Sequence, residues 1–181
     1  MFKELKPTDV TMRELNYFTR GKAMHEALQG LFLSNPRRFK KEYPVDFEDT
    51  EATIDLYDNR LKVAIEFKTH DTEDIEQPHK FHLDQLRYYM AILDLDKGAL
   101  IYQLLRHKGE KPLKQFPVYM KKWERLAQLA KLSSEMESLK NAVDKKDPSL
   151  ARAIYDDNEL NWLCWSCPFR TECEGMRPQS T

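Results

Sequence analysis

The segment 61–69 alternates between apolar side chains and polar or small ones. The odd positions hold Leu61, Val63, Ile65 and Phe67, and the even positions hold Lys62, Ala64, Glu66 and Lys68. A period of two is that of a β-strand with one buried face, because successive side chains point to opposite sides of a strand. The segment therefore predicts a half-buried strand and commits this part of the chain to a sheet.

Helical and extended segments occur in a regular order along the rest of the chain. Apolar residues recur at helical spacing in three segments, 9–33, 78–95 and 120–145. Further extended segments are predicted at 39–47, 52–57, 98–105 and 115–119. The order is helix, three strands, helix, two strands, helix, which indicates an α/β (α+β) core.

Composition limits the class of protein more than it identifies the function. The length of 181 residues fits one compact domain, and the charged fraction of 33% indicates a soluble protein with a heavily charged surface. A net charge of −1 means that any nucleic-acid surface must be a local basic patch. The chain has no apolar run of about 18 residues and no apolar core of a signal peptide near its start, so we expect a cytoplasmic protein that does not enter a membrane.

Two carboxylates and a lysine are predicted to meet on one face of a hairpin. Glu66 and Lys68 are two residues apart on the alternating strand and share its polar face. A two-residue loop at 59–60 sets Asp55 diagonal to Glu66, and a loop at 60–61 sets the two directly opposite; an odd register would separate them. Both even registers bring Asp55, Glu66 and Lys68 together.

The cluster of Asp55, Glu66 and Lys68 could be a metal site or only a charged strand face in contact with solvent. Two carboxylates on a shared face repel each other unless a cation lies between them, and oxygen ligands suit Mg²⁺ or Mn²⁺. A lysine beside that ion orients or deprotonates an attacking water and screens developing negative charge. The alternative is a solvated, charged strand face with no function.

Five short motifs occur in order along the chain. They are Gly21-x-x-x-His25, Ile54-Asp55, Glu66-Phe67-Lys68, Gln85-x-x-x-Tyr89 and Cys164-x-x-Cys167-x5-Cys173. This set resembles the PD-(D/E)xK nuclease superfamily and, within it, the RecB-like branch that includes the AddB nuclease domain and the fourth CRISPR-associated (Cas) protein family. The resemblance implies a restriction-endonuclease-like core over 1–150, with a central mixed sheet flanked by helices, and a C-terminal cysteine tail over 151–181 packed on that core.

The resemblance also implies an activity and a metal site. It implies a metal-dependent DNA nuclease, an exonuclease acting on DNA ends or single strands in recombination, repair or CRISPR spacer processing. Asp55, Glu66 and Lys68 would be the catalytic residues. The metal ligands for Mg²⁺ or Mn²⁺ would be His25, Asp55, Glu66 and the main-chain carbonyl of Phe67.

Other residues would support that site. Gln85 and Tyr89 are four residues apart, share one helical face and would reach a DNA phosphate or Lys68. Glu42 is a weaker candidate for a supporting carboxylate. The expected partners are DNA and proteins of recombination or CRISPR adaptation. The alternative functions are a non-catalytic DNA-binding or scaffold module on the same fold, and an unrelated α/β protein with a small zinc ribbon.

The three cysteines lie within ten residues of each other, at Cys164, Cys167 and Cys173. A clustered, odd set in a chain expected in the cytoplasm fits metal or cluster ligation better than disulfides. In iron–sulfur members of the resembled branch a fourth cysteine precedes the Gly-x-x-x-His helix, and no cysteine precedes Cys164 here. Four interpretations stay open: a 4Fe-4S cluster with a non-cysteine fourth ligand, zinc with a His or carboxylate as fourth ligand, a metal-free tail, and native residues missing from this sequence.

Overall fold

The structure is a computed structural model and describes residues 12–32, 34–48, 50–109, 112–145, 147 and 150. In chain order its elements are α1 (Met12–Phe32), β1 (Phe39–Phe47), β2 (Thr50–Asp58), β3 (Val63–His70), α2 (Lys80–Ile92), β4 (Lys97–Leu104), β5 (Leu113–Tyr119) and α3 (Lys122–Lys145). Every helix and strand that the sequence predicts is present, with small differences at the ends. The predicted α/β class is confirmed.

The five strands form one mixed sheet in the order β1-β2-β3-β4-β5. Strands β3 and β4 run parallel, and every other neighbouring pair is antiparallel. A parallel pair needs a crossover connection, and α2 supplies it between β3 and β4. The predicted central mixed sheet is therefore present.

A helix covers each face of this sheet. On one face α2 packs Leu86 and Met90 into an apolar cluster with Leu100. On the other face α1 packs Leu28 into a second cluster with Phe67. Phe67 pairs with the residue that follows Leu100, so the two clusters lie on opposite faces. The sheet therefore lies between the two helices, and both of them contribute residues to the candidate site described below.

The turn between β2 and β3 corrects one detail of the predicted strand. The Asp58 side chain accepts hydrogen bonds from the backbone amides of Arg60 and Leu61, each at 3.0 Å, and this closes a turn over 59–62. Lys62 has a φ of 54°, in the left-handed region. The strand therefore begins at Val63, and Leu61, which the alternation assigns to the buried face, lies in the turn and is 56% exposed.

The chain divides into two compact units. One spans Thr11–Leu129 and contains the whole sheet; the other includes, among the described residues, those from Ala130 onward. Trp123 and Leu126 of α3, which the helical spacing assigns to the apolar face, are 65% and 58% exposed. No helix in the described parts of the chain is long and apolar enough to span a bilayer. The tail predicted at 151–181 lies outside the described residues, so the predicted domain boundary stays a prediction.

Candidate active site

The β2–β3 ladder ends at the pair Leu56↔Ile65. One residue further, the same register sets Asp55 opposite Glu66, which is the second of the two registers that the sequence allows. From this point, hydrogen bonds from backbone amides to side chains replace the backbone–backbone hydrogen bonds between the strands. The Phe67 amide donates to Asp55 Oδ2 at 2.8 Å, and the Asp55 amide lies 3.5 Å from Glu66 Oε2. Both carboxylates are therefore inserted between two separating strands.

Helix α1 adds an imidazole to this opening. His25 lies one turn before Leu28, the residue that anchors α1 on the sheet, so both are on the helix face that meets β2 and β3. His25 Nδ1 is 3.4 Å from Asp55 Oδ1. Its ring makes an edge contact with Phe67, with the centroids 6.3 Å apart. The structure thus brings His25 to the oxygen of Asp55 that the Phe67 amide does not use.

Gln29 is a residue of this site that the sequence analysis missed. Its side chain is only 3% exposed, and its Nε2 donates to the Asp55 main-chain oxygen and to Glu42 Oε1, each at 2.9 Å. Glu42 has a φ of 48°, and the β1–β2 pairing omits it opposite Asp55. Gln29 follows His25 by four residues on α1, and that spacing was the one available signal.

A second chain of hydrogen bonds connects β3 to α2. Lys68 Nζ donates to Glu66 Oε1 and to Gln85 Oε1, each at 2.9 Å. Gln85 Nε2 then donates to the Tyr89 hydroxyl at 2.9 Å. Gln85 and Tyr89 are separated by one helical turn of α2 and lie on the face that meets the sheet. The four side chains therefore form one connected polar network beside Asp55.

The Glu66 carboxyl has a pKa that is shifted by its surroundings. Its residue is 3% exposed, and this burial raises the pKa of Glu66; the Lys68 ammonium acts in the opposite direction, and the Asp55 carboxylate adds to the rise. Burial also raises the pKa of the Tyr89 phenol, which keeps it a neutral hydrogen-bonding group. A further cation between the two carboxylates would favour the ionised form of both.

The donor set fits Mg²⁺ or Mn²⁺ by its chemistry. Two carboxylates and an imidazole are ligands that these ions accept. The 3.4 Å between His25 Nδ1 and Asp55 Oδ1 is close to the distance of about 3 Å between two neighbouring ligands of one small ion. Within the described residues no three His, Cys, Asp or Glu side chains are already grouped closely enough to hold a metal ion, and Glu66 Oε1 is paired with Lys68. The roles of these residues and of the Phe67 carbonyl as ligands stay predictions.

The motif order also agrees with a family of known proteins. The sequence model of the PD-(D/E)XK nuclease superfamily matches residues 9–174. This chain belongs to that superfamily. The match contains Asp55, Glu66 and Lys68 and extends over Cys164, Cys167 and Cys173, which lie outside the described residues. A search of curated protein sequences finds no match.

Three solved structures resemble this chain in fold at low sequence identity. The crystal structure of SSO0001 aligns with a TM-score of 0.51 at 16% identity, over 87% of this chain and 70% of that one. An alkaline exonuclease (LHK-Exo) from Laribacter hongkongensis aligns with a TM-score of 0.47 at 16% identity, over 76% and 89%. A phage-related exonuclease from Haemophilus somnus 129PT aligns with a TM-score of 0.37 at 20% identity, over 65% and 73%. The similarity to SSO0001 shows a shared fold and no shared function.

Proposed function

We propose that this chain is a metal-dependent DNA nuclease that hydrolyses phosphodiester bonds by in-line attack of water. One observation supports this above all: Asp55, Glu66 and Lys68 meet where β2 and β3 separate, in a chain that belongs to a nuclease superfamily. A solvated strand face would leave these groups exposed, whereas Glu66 is 3% exposed. Burying a carboxylate costs free energy, and carboxyl groups that burial and a specific charged partner perturb cluster at functional sites, so the burial of Glu66 beside Lys68 favours a function.

In this proposal Asp55, Glu66, His25 and the Phe67 carbonyl would hold Mg²⁺ or Mn²⁺. The ion would polarise the phosphate and lower the pKa of the attacking water. Asp55 is fixed for this task on two sides, by the Phe67 amide at Oδ2 and by Gln29 at its main-chain oxygen. Oδ1 is the oxygen left to face His25.

Lys68 would position the water and donate a hydrogen bond to a phosphate oxygen. Its Nζ has three hydrogens, of which two are bound to Glu66 and Gln85. The third is available in this arrangement for a substrate oxygen, where an ammonium offsets the charge that develops during attack. Gln85, held in turn by Tyr89, fixes the direction of the lysine side chain.

The finer assignment is exonuclease action on DNA ends or single strands, in recombination, repair or CRISPR spacer processing. It depends on the order of the five motifs, which resembles the RecB-like branch. Incubation of the protein with end-labelled linear DNA and with closed circular DNA, in Mn²⁺ or in EDTA, tests it. We expect Mn²⁺-dependent loss of the linear DNA and no nicking of the circle. The matched control is Glu66→Gln, which keeps the size of the side chain.

The competing function is a DNA-binding or scaffold module without catalysis. DNA binding by the wild-type protein with no cleavage of any linear or circular DNA in Mg²⁺ or Mn²⁺ would favour that module and remove the nuclease proposal. Cleavage that is unchanged by Glu66→Gln would instead point to a contaminating nuclease and also count against the assignment.

The cofactor of the cysteine segment is a separate question. Cys164, Cys167 and Cys173 lie outside the described residues, and the cluster, zinc and metal-free alternatives all remain. Elemental analysis and visible absorption of protein purified without oxygen distinguish them. Iron with broad visible absorption supports a cluster, zinc supports a zinc site, and the absence of both metals supports a metal-free tail. Cys167→Ser should release any metal found and leave cleavage intact below its melting temperature.

A further inference from the structure

One end of the sheet carries cations that have no acidic partner. Strand β1 begins at this end and the turn 59–62 lies beside it. Five side chains contribute, Arg37, Lys40, Lys41, Arg60 and Lys62, which we call the basic row. All five are exposed, and none is within ion-pair distance of a carboxylate among the described residues. Unpaired positive charge is therefore concentrated here in a protein of net charge −1.

The basic row begins next to the candidate active site. Lys41 pairs with Leu56, the neighbour of Asp55, and Lys40 pairs with Tyr57, so these two consecutive lysines point to opposite faces of the edge strand and flank it on both sides. The row then continues into the turn, where Arg60 is four residues from Leu56. At about 3.3 Å per residue this is a span of about 13 Å along the strands. Strand β1 is an edge of the sheet, so its outer side is not covered by another strand.

Aromatic side chains support two of the lysines. Lys62 Nζ lies 5.9 Å from the centre of the Tyr57 ring, and Lys40 Nζ lies 5.6 Å from that of Tyr43. The two tyrosine rings stack on each other, with centroids 4.5 Å apart. This arrangement keeps two ammonium groups on the same side of the strand pair without neutralising them.

The two ends of the β1–β2 strand pair carry opposite charge. Asp58, the acid nearest to the turn, is neutralised by Arg38, whose guanidinium donates to it at 2.7 and 3.0 Å. The opposite end of the pair is acidic, because Asp46 and Glu51 face each other there. A polyanion that reaches Asp55 is therefore attracted along the basic end and repelled along the acidic end.

We infer that the basic row binds the sugar–phosphate backbone of the DNA strand whose scissile bond lies at Asp55 and Glu66. The inference rests on the proposed nuclease function. It adds the path of the bound DNA strand, which would run from Asp55 along β1 towards the turn 59–62. Contacts of lysine and arginine with phosphates carry no base sequence, so the row would hold DNA of any sequence. They release counterions, so binding through the row weakens steeply with salt.

Binding of a fluorescein-labelled single-stranded oligonucleotide, followed by anisotropy at several salt concentrations, tests this inference. The background is the full chain carrying Glu66→Gln, so that DNA is not cut. The test variant adds Lys40→Gln, Lys41→Gln and Lys62→Gln. We expect its Kd to rise by at least about 10-fold and the slope of log K against log salt to fall by about 2, since each lost phosphate contact removes about 0.7.

The matched control removes three exposed lysines elsewhere, with Lys121→Gln, Lys122→Gln and Lys140→Gln. Its net charge equals that of the test variant, and its Kd and salt slope should stay close to the background values. Equal losses in both variants would mean that only net charge matters and would overturn the inference. Unchanged binding of the test variant would overturn it as well.

Turnover separates this inference from the proposed function. With Glu66 intact, the test variant should show a raised KM for DNA and a rate at saturating DNA close to wild type. If the wild-type protein cleaves DNA and the basic-row variant has wild-type KM and Kd, the nuclease proposal survives and the row is not a DNA contact. If the wild-type protein neither binds nor cleaves DNA, both proposals fail.

Discussion

The Asp55 carboxylate and the Phe67 amide are joined by a 2.8 Å hydrogen bond at the point where β2 and β3 stop pairing. One carboxylate oxygen thus replaces a backbone acceptor that the separated strand no longer provides. The other oxygen lies 3.4 Å from His25 Nδ1. Asp55 therefore has a structural task and a candidate chemical task on different atoms, and substitutions can separate them.

We predict different results for Asp55→Asn and Asp55→Ala. Asparagine keeps an oxygen for the Phe67 amide but has no charge to hold an ion, so cleavage should fall at least about 100-fold with little change in stability. Alanine leaves the buried amide without a partner and should also cost about 1–3 kcal/mol in the free energy of unfolding. Urea denaturation and cleavage assays measure the two effects. Wild-type activity of Asp55→Asn would contradict a ligand role.

For Lys68→Gln we predict a loss of rate without a loss of metal affinity. An ammonium has no lone pair to offer a metal ion, whereas its hydrogen bonds act on the water and the phosphate. The turnover rate should fall about 100-fold, and calorimetric binding of Mn²⁺ should be unchanged or tighter, because Glu66 Oε1 is freed. Lys97→Gln, at an exposed lysine at the start of β4, is the control. Weak Mn²⁺ binding with near-normal turnover would reverse the assigned role.

The same part of the molecule shows how far sequence reasoning reaches. Alternation over 61–69 was sufficient to place Glu66 and Lys68 on one face of the strand. Because side chains alternate between faces, only two of the short hairpin registers bring Asp55 to that same face. The choice between those registers came from Asp58, which captures two turn amides and lengthens the turn to 59–62. That effect depends on a contact that is distant in sequence, because Arg38, in the turn just before β1, holds the other oxygen of the same carboxylate.

Two other features were beyond the sequence for different reasons. Gln29 contacts Glu42 and Asp55, 13 and 26 residues away, and an amide in a helix has no pattern that reveals such partners. The exposure of Trp123 and Leu126 was missed because helical periodicity identifies an apolar face but does not say whether another element covers it.

We predict that Gln29→Met weakens the site through Asp55. Methionine has nearly the volume of glutamine but cannot donate to the Asp55 main-chain oxygen or to Glu42, so two acceptors lose a partner. Stability should fall by about 1–3 kcal/mol, and Mn²⁺ affinity should fall about 10-fold or more, as for other residues that orient ligands. Gln29→Glu is a second variant that tests whether the donor, rather than the size, matters. Unchanged Mn²⁺ affinity in both would show that Gln29 is structural only.

The turn carboxylate Asp58 should make stability depend on acid pH. Burial alone would raise the pKa of Asp58, but hydrogen bonds from Arg38 and from the amides of Leu61 and Arg60 outweigh it, so the pKa lies below the ordinary 3.8. A lowered pKa contributes stability that is fully present above the unfolded value and is lost as the pH falls through the folded value. Asp58→Asn should remove that part of the acid dependence and lower the free energy of unfolding at pH 7 by about 1.5–3 kcal/mol, the range for losing a hydrogen bond to a charged group. Asp96→Asn, on an exposed loop residue, should do neither.

The last prediction concerns a histidine beside the network of Lys68. The Tyr102 hydroxyl accepts a hydrogen bond from the His79 amide at 3.1 Å and forms a second hydrogen bond of 2.7 Å with His82 Nδ1, whose direction depends on the His82 tautomer. Burial first, and then the positive charges of Lys68 and the neighbouring histidines, lower the pKa of His82 to about 3, while burial raises the pKa of Tyr102 to about 12.

A lowered histidine pKa gives stability that is present above the ordinary value of 6.5 and is lost as the pH falls from 6.5 towards about 3. We therefore expect the ring nitrogen signals of His82 to stay those of a neutral imidazole from pH 8 to pH 5, where an exposed histidine titrates. In His82→Gln the free energy of unfolding should depend less on pH between 6.5 and 5 than in the wild-type protein. Tyr102→Phe removes the hydroxyl beside Nδ1 but neither the burial nor the neighbouring charges, so the pKa of His82 should stay well below 6.5. A wild-type His82 that titrates near 6.5 would mean that burial and the neighbouring positive charges do not lower its pKa.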